Sequence, residues 1–530
     1  MKKILFLQVF SIAFAASEAF AQNIPNELFS KPNTPIVAVG GFINFNGSVR
    51  KQEGAYSDPR LPDAVLEDNG QVDSAHAGTQ NRFSRYSTFA NDSEIYIKVG
   101  AISDSGLKYG AIVELEADTT TDGLNEGFNA DKSFIFTESS IGKFEFGNNN
   151  AVNQKMKVGP SSFARATGGI NGKYLQHINL PMFAHSSQLP SGASALCAGG
   201  VGVDADGEAG AACDNIKLPR FILIPQSPVA HGGYAKGFYN RITDNDYEID
   251  GFGNITNNYG SFNRNTDPYP IYGYKNGSFG QMEDATKISY YTPRVNGWQF
   301  GASFVPDTGD NGTTAATSGK DSGDIENVVS WGANYTNNLS NLGFAFSATG
   351  EHGVFESSKI VPAGGGTGIN RSNLASYDAG LMVTYFGFTI GGSYGFWGKS
   401  LQPTSGIYSC DYDPTVDLDH QTCDKDDQSI KKFGDAKYYT AGLAYEFGPF
   451  AASLTHMSSD FQKNKYTATS FGVDYKMARG LMPYAEITQF EFESNQPNYF
   501  GLAAQQPNVS QSQLRDNKGY VGLIGVLFSF

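Results

Sequence analysis

From Ile36 to the end of the chain, apolar and polar residues alternate within segments of about ten residues, the two-residue period of a β-strand. Leu107, Tyr109, Ala111, Val113, Leu115 and Ala117 share one face of such a segment, against Lys108, Glu114, Glu116 and Asp118 on the other. The segment before it sets Ile95, Ile97 and Val99 against Glu94, Tyr96 and Lys98, and one near the end sets Phe471, Val473 and Tyr475 against Asp474 and Lys476. One face of each strand suits an apolar medium and the other suits water.

The connections are short and long in turn. Short ones, rich in Gly, Pro, Asn or Ser, lie at Ser103 to Gly106, Ser139 to Gly142, Arg294 to Gly297, Asn337 to Asn341, Phe386 to Gly387, Gly448 to Pro449 and Ala478 to Gly480. Seven short turns alternating with long loops predict about sixteen strands. In pairs these are Ile36 to Arg50 with Asp92 to Ile102, Leu107 to Asp118 with Lys132 to Glu138, and Lys143 to Gly147 with Ala285 to Thr292. Then come Trp298 to Val305 with Glu326 to Thr336, Leu342 to His352 with Leu374 to Tyr385, and Phe388 to Trp397 with Ala436 to Phe447. Phe450 to Ser459 with Thr467 to Met477, and Leu481 to Phe492 with Gly519 to Phe530, complete the set.

The two ends of the chain identify the apolar medium. Lys2 and Lys3 precede an apolar run from Ile4 to Ala16, and Ala19-Phe20-Ala21 offers a cleavage site, so residues 1–21 read as a signal peptide and 22–530 as the mature chain. No other stretch is long and apolar enough for a spanning helix, so a membrane-integral form must be a closed barrel. Tyr520, Ile524, Val526, Phe528 and Phe530 form an apolar stripe on the last strand, which ends on an aromatic residue as outer-membrane barrels do; Phe530 is the expected barrel-assembly signal. The predicted fold is all-β: a transmembrane antiparallel barrel in the outer membrane, with a water-filled interior.

Composition agrees once this is allowed for. The 13% aromatic content fits girdles at two membrane interfaces, while alternation dilutes the mean hydropathy to that of a soluble chain. A formal charge of -15, one unit more acidic without Lys2, Lys3 and Glu18, argues against nucleic-acid binding. Cys197 with Cys213 and Cys410 with Cys423 are two local pairs in polar stretches and read as disulfide staples of loops. Their spacing fits no zinc site, and the histidines, including His76, His177 and His456, form no metal-binding pair. No cofactor is implied.

Several segments resemble the general Gram-negative porin family. Asp92-Ser93-Glu94-Ile95-Tyr96 leading through Gly106-Leu107-Lys108-Tyr109-Gly110 into Glu114-Leu115-Glu116 is similar to that family's second and third strands. Ile141-Gly142-Lys143-Phe144-Glu145-Phe146-Gly147 resembles the segment before its third loop, and Lys287 to Pro293 with Asn296 to Gly301 the strand-turn-strand after it. The resemblance implies a sixteen-stranded homotrimer that passes small hydrophilic solutes, folds through the barrel-assembly machinery and sits among lipid and lipopolysaccharide. It also implies a third loop, here about 148–284, that folds into the lumen and narrows it. So long a loop should carry elements of its own, Phe221-Ile222-Leu223-Ile224 among them, and leaves eighteen strands open.

Gly159 to Phe163 and Gly168 to Gly172 look like the family's inward-folded section, which makes Arg165 and Lys173 the loop charges expected at the constriction. Many members have arginine where this chain has Glu94 and Asn148; Lys132 is retained, and Glu94, Glu114, Glu116 and Glu145 add inward carboxylates. Fixed charge in a narrow passage concentrates counter-ions, so mild cation preference is expected. A substrate-selective channel and a surface adhesin stay open as alternatives.

Two other motifs carry no chemistry of their own. Gly391-Gly392-Ser393-Tyr394-Gly395 satisfies a hydrolase pattern but lies inside a strand, where Ser393 faces the lumen and no strand-to-helix elbow presents it. The aspartates between Asp411 and Asp427 do not follow an EF-hand spacing and read as a solvated acidic loop. An enzyme is therefore not expected.

Overall fold

The computed structural model describes residues 24–52, 86–117, 129–160, 163–178, 247–249, 255–257, 285–307, 325–355, 370–400, 403–405, 435–461, 464–493 and 517–530. Sixteen strands close into one antiparallel barrel in chain order. They are β1 (Ile36–Gln52), β2 (Ser87–Ile102), β3 (Lys108–Glu116), β4 (Asn129–Ser139), β5 (Gly142–Asn148), β6 (Thr286–Tyr291), β7 (Trp298–Asp307) and β8 (Ile325–Leu339). The second half comprises β9 (Leu342–Phe355), β10 (Leu374–Tyr385), β11 (Phe388–Gly398), β12 (Ala436–Phe447), β13 (Phe450–Phe461), β14 (Asn464–Tyr475), β15 (Leu481–Glu493) and β16 (Asn517–Ser529). Eighteen strands are ruled out: residues 247–249 and 255–257 pair with each other as a separate two-stranded sheet.

All seven short turns lie where the breaker residues predict them. Asn296 and Gly297 both take positive φ, at 50° and 89°, the conformation a two-residue hairpin needs and Asn-Gly adopts readily. Phe386 does the same at 45° beside Gly387 at 83°, an uncommon conformation for a bulky residue. The barrel seam pairs β1 with β16 from Phe42 opposite Ser529 to Gln52 opposite Gly519. Phe530 extends that seam, its N–H donating to the Gly41 carbonyl at 3.0 Å and its carbonyl accepting from the Gly41 N–H at 3.1 Å. Closure leaves no unpaired edge, the condition for crossing hydrocarbon with strands.

The alternation sets the faces as expected. Phe471, Val473, Tyr520, Ile524, Val526, Phe528 and Phe530 are exposed on the outer face, while Lys98, Glu114 and Asp474 are buried inside. Aromatic rings meet near the short turns, as in Phe388 on Tyr445 at 4.2 Å and Phe450 on Tyr475 at 4.5 Å between ring centroids. They make the aromatic belt of one membrane interface. Lys476 falls beyond the end of β14, Asp118 lies outside the described residues, and nothing is described of the Glu116 side chain.

One part of the interior is not polar. The N-terminal turn Asn26–Phe29 tucks inside the barrel, where Ile24 and Phe29 pack on inward Ile112, Phe134 and Phe136. Leu28, 1% exposed, lies against Gly100, where an added Cβ would meet the Leu28 Cβ at 2.9 Å. No alternation announces this segment, because it is not a strand.

Candidate constriction site

The third loop leaves β5 at Asn148 and runs along the inner wall, its described residues reaching β1 and β2 at His177. Its first turn is the short helix α1 (Val152–Lys155). Val152 and Met156 of this turn lie on Gly301 of β7 and Gly332 of β8. A Cβ at Gly332 would meet the Met156 sulfur at 3.0 Å and Val152 Cγ1 at 3.2 Å, so the loop lies flat only because the wall has no side chain there. Further along, Val158 and Phe163 join inward Ala345, Met382 and Ala444 in a small apolar core between loop and wall.

Wall hydroxyls satisfy the loop backbone. Ser303 Oγ accepts from the Val152 N–H at 2.9 Å and Ser347 Oγ from the Val158 N–H at 2.9 Å. Ser393 faces inward under the loop, its Oγ 2.6 Å from Thr440 Oγ1, so the hydrolase-like pentapeptide carries a wall serine; Ile390 and Tyr394 on either side are exposed outward.

The anticipated charges are gathered in ion pairs. Arg165 is 5% exposed; its Nε donates to Asp474 of β14 at 2.9 Å, a second nitrogen also donates to that carboxylate, and Glu446 stands 3.5 Å away. Lys173 pairs with Asp92 of β2, two positions from Glu94 on the same inward face. Lys132 Nζ donates to Glu114 at 2.9 Å, and both side chains are buried. Glu145 accepts from Lys155 at 2.6 Å and pairs with Lys143 at 2.7 Å. Glu94, half-buried, accepts from the Tyr96 hydroxyl at 2.5 Å. Arg165 and Lys173, the loop charges expected at the constriction, dock against separate wall strands, β14 and β2, each on a carboxylate of the inward face.

Other fasteners carried no sequence signal beyond their phase. Thr167 donates to Glu486, Asn44 Nδ2 donates to the Ala166 carbonyl at 3.1 Å, and the hydroxyls of Tyr174 and Tyr466 are 2.5 Å apart. His177 is 2% exposed, with Nδ1 2.9 Å from Ser48 Oγ and 2.8 Å from Thr88 Oγ1, and Nε2 2.7 Å from Asn46 Oδ1; Arg50 donates to its carbonyl at 2.8 Å.

These settings shift the loop's own titrating groups. Burial pushes Lys155 down to about 8 although Glu145 pulls it back up. Burial and then the Arg50 charge push His177 down to about 4, and burial with the Tyr466 contact pushes the Tyr174 hydroxyl well up. No group of three or more His, Cys, Asp or Glu side chains suited to a metal is gathered among the described residues. Cys197, Cys213, Cys410 and Cys423, the aspartates from Asp411 to Asp427, and Phe221 to Ile224 lie outside the described residues; no disulfide is found among the described ones.

A family model described as Gram-negative porin matches residues 9–189 and 233–495. An uncharacterized protein of Rickettsia conorii is 24% identical over 566 residues, covering 100% of each chain. Another, from Rickettsia bellii, is 30% identical over 305 residues, 51% of this chain and 60% of that one. Among solved structures the chain is similar to an anion-selective porin from Comamonas acidovorans, with 12% identity, a TM-score of 0.45, and 94% of this chain and 100% of that one covered.

Proposed function

The chain belongs to the Gram-negative porin family, and from that premise we propose that it is a diffusion porin with mild cation preference, passing small hydrophilic solutes and ions down their gradients. Membership of a channel family and the closed sixteen-stranded barrel make it a non-enzymatic outer-membrane channel.

The observation that carries the finer reading is the fastening of the third loop to the inner wall. A loop held along a wall narrows a passage and leaves a route beside it. The ion pairs are the reason for calling the preference mild. Arg165 with Asp474 and Lys132 with Glu114 cancel, and Glu145, opposed by both Lys143 and Lys155, leaves one positive charge that Glu94 balances, so the cation preference rests on the acidic chain as a whole. Cleavage after Ala21, trimer formation, recognition of Phe530 by the barrel-assembly machinery and contact with lipopolysaccharide belong to the same proposal.

Single-channel recording of the refolded mature chain across a salt gradient tests it. Stable conductance with a reversal potential of cation-selective sign is the expected result. A potential of the opposite sign ends the selectivity reading, and silence from folded, inserted protein ends the diffusion reading in favour of a gated, substrate-selective channel or an adhesin.

A further inference from the structure

Beneath the first turn of the third loop, two acids from neighbouring strands are buried side by side. Glu351 of β9 is 0% exposed and Asp378 of β10 5% exposed. Thr349 pairs in register with Asp378, and Glu351 with both Ser330 of β8 and Ser376 of β10, so all of these side chains share one inward patch. Asn153 of α1 covers it, its Nδ2 donating to Glu351 Oε2 at 2.9 Å.

The patch has more oxygen than the protein satisfies. Asn153 Oδ1, Ser330 Oγ, Thr349 Oγ1 and Asp378 Oδ1 are all buried and have no hydrogen-bond partner among the described residues. Reversing the Asn153 amide would not help, because it would turn an oxygen onto the Glu351 carboxylate. Neither acid has an ion pair among the described residues. The cation they feel is Lys157, which acts on both from a distance while its ammonium lies 5.6 Å from the centre of the Trp397 ring. When both are ionised, as a bound cation would hold them, the two acids outweigh the one remote ammonium, and unpaired buried oxygens are unfavourable unless something bonds them.

We infer that this patch binds a divalent cation of the calcium type, ligated by carboxylate, amide and hydroxyl oxygens of Glu351, Asp378, Asn153, Ser330 and Thr349. The donor set is all oxygen, with no nitrogen or sulfur to favour a transition metal, and it is irregular, which calcium accepts more readily than magnesium does. The ion would join α1 to β8, β9 and β10 and so hold the start of the third loop on the wall. This site is independent of which solutes the channel passes.

Terbium luminescence on the full-length mature chain, refolded free of lipopolysaccharide, tests it. The Trp397 ring lies 5.4 Å from that of Tyr438, tilted by 38°, and the Tyr438 hydroxyl donates to Asp378, so indole excitation should sensitise an ion at the patch. The expected result is saturable emission displaced by calcium and lost in Asp378→Asn and Glu351→Gln proteins that still show heat-modifiable barrel migration. Glu138→Gln, at the partly exposed ion pair with Lys108 between β3 and β4, should leave it in place. Losing a ligand should weaken calcium binding, read by calorimetry, by about 10–100-fold or more, the scale set by perturbing even a ligand's support. Asn153→Ala, which lies on the loop and not in a strand, tests the same point where a strand variant fails to fold. Emission and calcium uptake that survive these substitutions, or an absence of saturable calcium uptake by the folded chain, overturn the site.

Discussion

Arg165 and Asp474 are 309 positions apart in sequence and joined in the barrel interior, the guanidinium Nε donating to the carboxylate at 2.9 Å. The contact fixes the middle of the third loop to β14. Removing one member of a buried pair costs about 3–5 kcal/mol, because the other charge stays buried without its partner. Arg165→Ala should therefore free this part of the loop while the strands stay closed. Increased open-channel noise and new protease cleavage near residue 165, with unchanged heat-modifiable migration, are the expected results; Arg165→Lys should fall between. Quiet channels in the alanine variant would count against the pair as a fastener.

The far end of the described loop should loosen in acid. His177 is held at about 4 by burial and by Arg50, against about 6.5 for a free histidine. Between those values the released loop binds a proton and the docked loop does not. Docking is thus fully supported above about 6.5 and weakens as pH falls towards 4, by about 3 kcal/mol in total. Single-channel noise recorded from pH 7.5 to pH 4 should rise across that window. His177→Gln, which keeps hydrogen-bonding capacity without the proton equilibrium, should flatten the profile.

Gly332 should be intolerant of a side chain for a reason outside the strand. A Cβ there would strike Met156 and Val152, so Gly332→Val is expected to push α1 from the wall into the passage, at about 1–3 kcal/mol of overpacking. Conductance should fall while barrel migration is unchanged. Conductance equal to the parent's would mean that the loop repacks without moving inward.

The strand plan could be read because lipid and water impose a strict two-residue alternation and because tight turns need Gly, Asn, Pro or Ser. Leu374–Tyr385 and Ala436–Phe447 match their expected bounds to the residue, and Lys98 and Asp474 point inward as their phase requires. The loop contacts obey no such rule. Thr167 meets Glu486 across 319 positions, and nothing periodic in either segment encodes the other. Phase placed Glu114, Lys132 and Glu145 inside but did not disclose that they neutralise one another, since pairing depends on strand register and on where Lys155 descends from the loop. Leu28 leaves no periodic signal, because a single turn docked on Gly100 has no repeat.

Charge balance at Lys132 and Glu114 should set ion preference in opposite directions. The pair is closed at 2.9 Å, with side chains 5% and 3% exposed. Lys132→Met leaves the carboxylate unopposed and should move the reversal potential further towards cations. Glu114→Gln leaves the ammonium and should move it towards anions, and the double variant should return close to the parent. Single variants that shift the potential in the same direction would show that loop displacement, not wall charge, controls permeation.

Lys155 extends the pH argument to the alkaline side. Burial lowers it to about 8, against about 10.4 in a free chain, even with Glu145 at 2.6 Å. The docked loop therefore gives up this proton before the released loop does, and docking strengthens as pH rises from about 8 to 10.4, with the same sign as for His177. Permeation should report the change too, because neutral Lys155 leaves Glu145 opposed by Lys143 alone. Raising pH from 7 to 9.5 should shift the reversal potential towards cations and reduce open-channel noise. Lys155→Met should show the cation-shifted potential already at pH 7 and lose this part of the pH response. A full alkaline response in that variant would place the titrating group elsewhere.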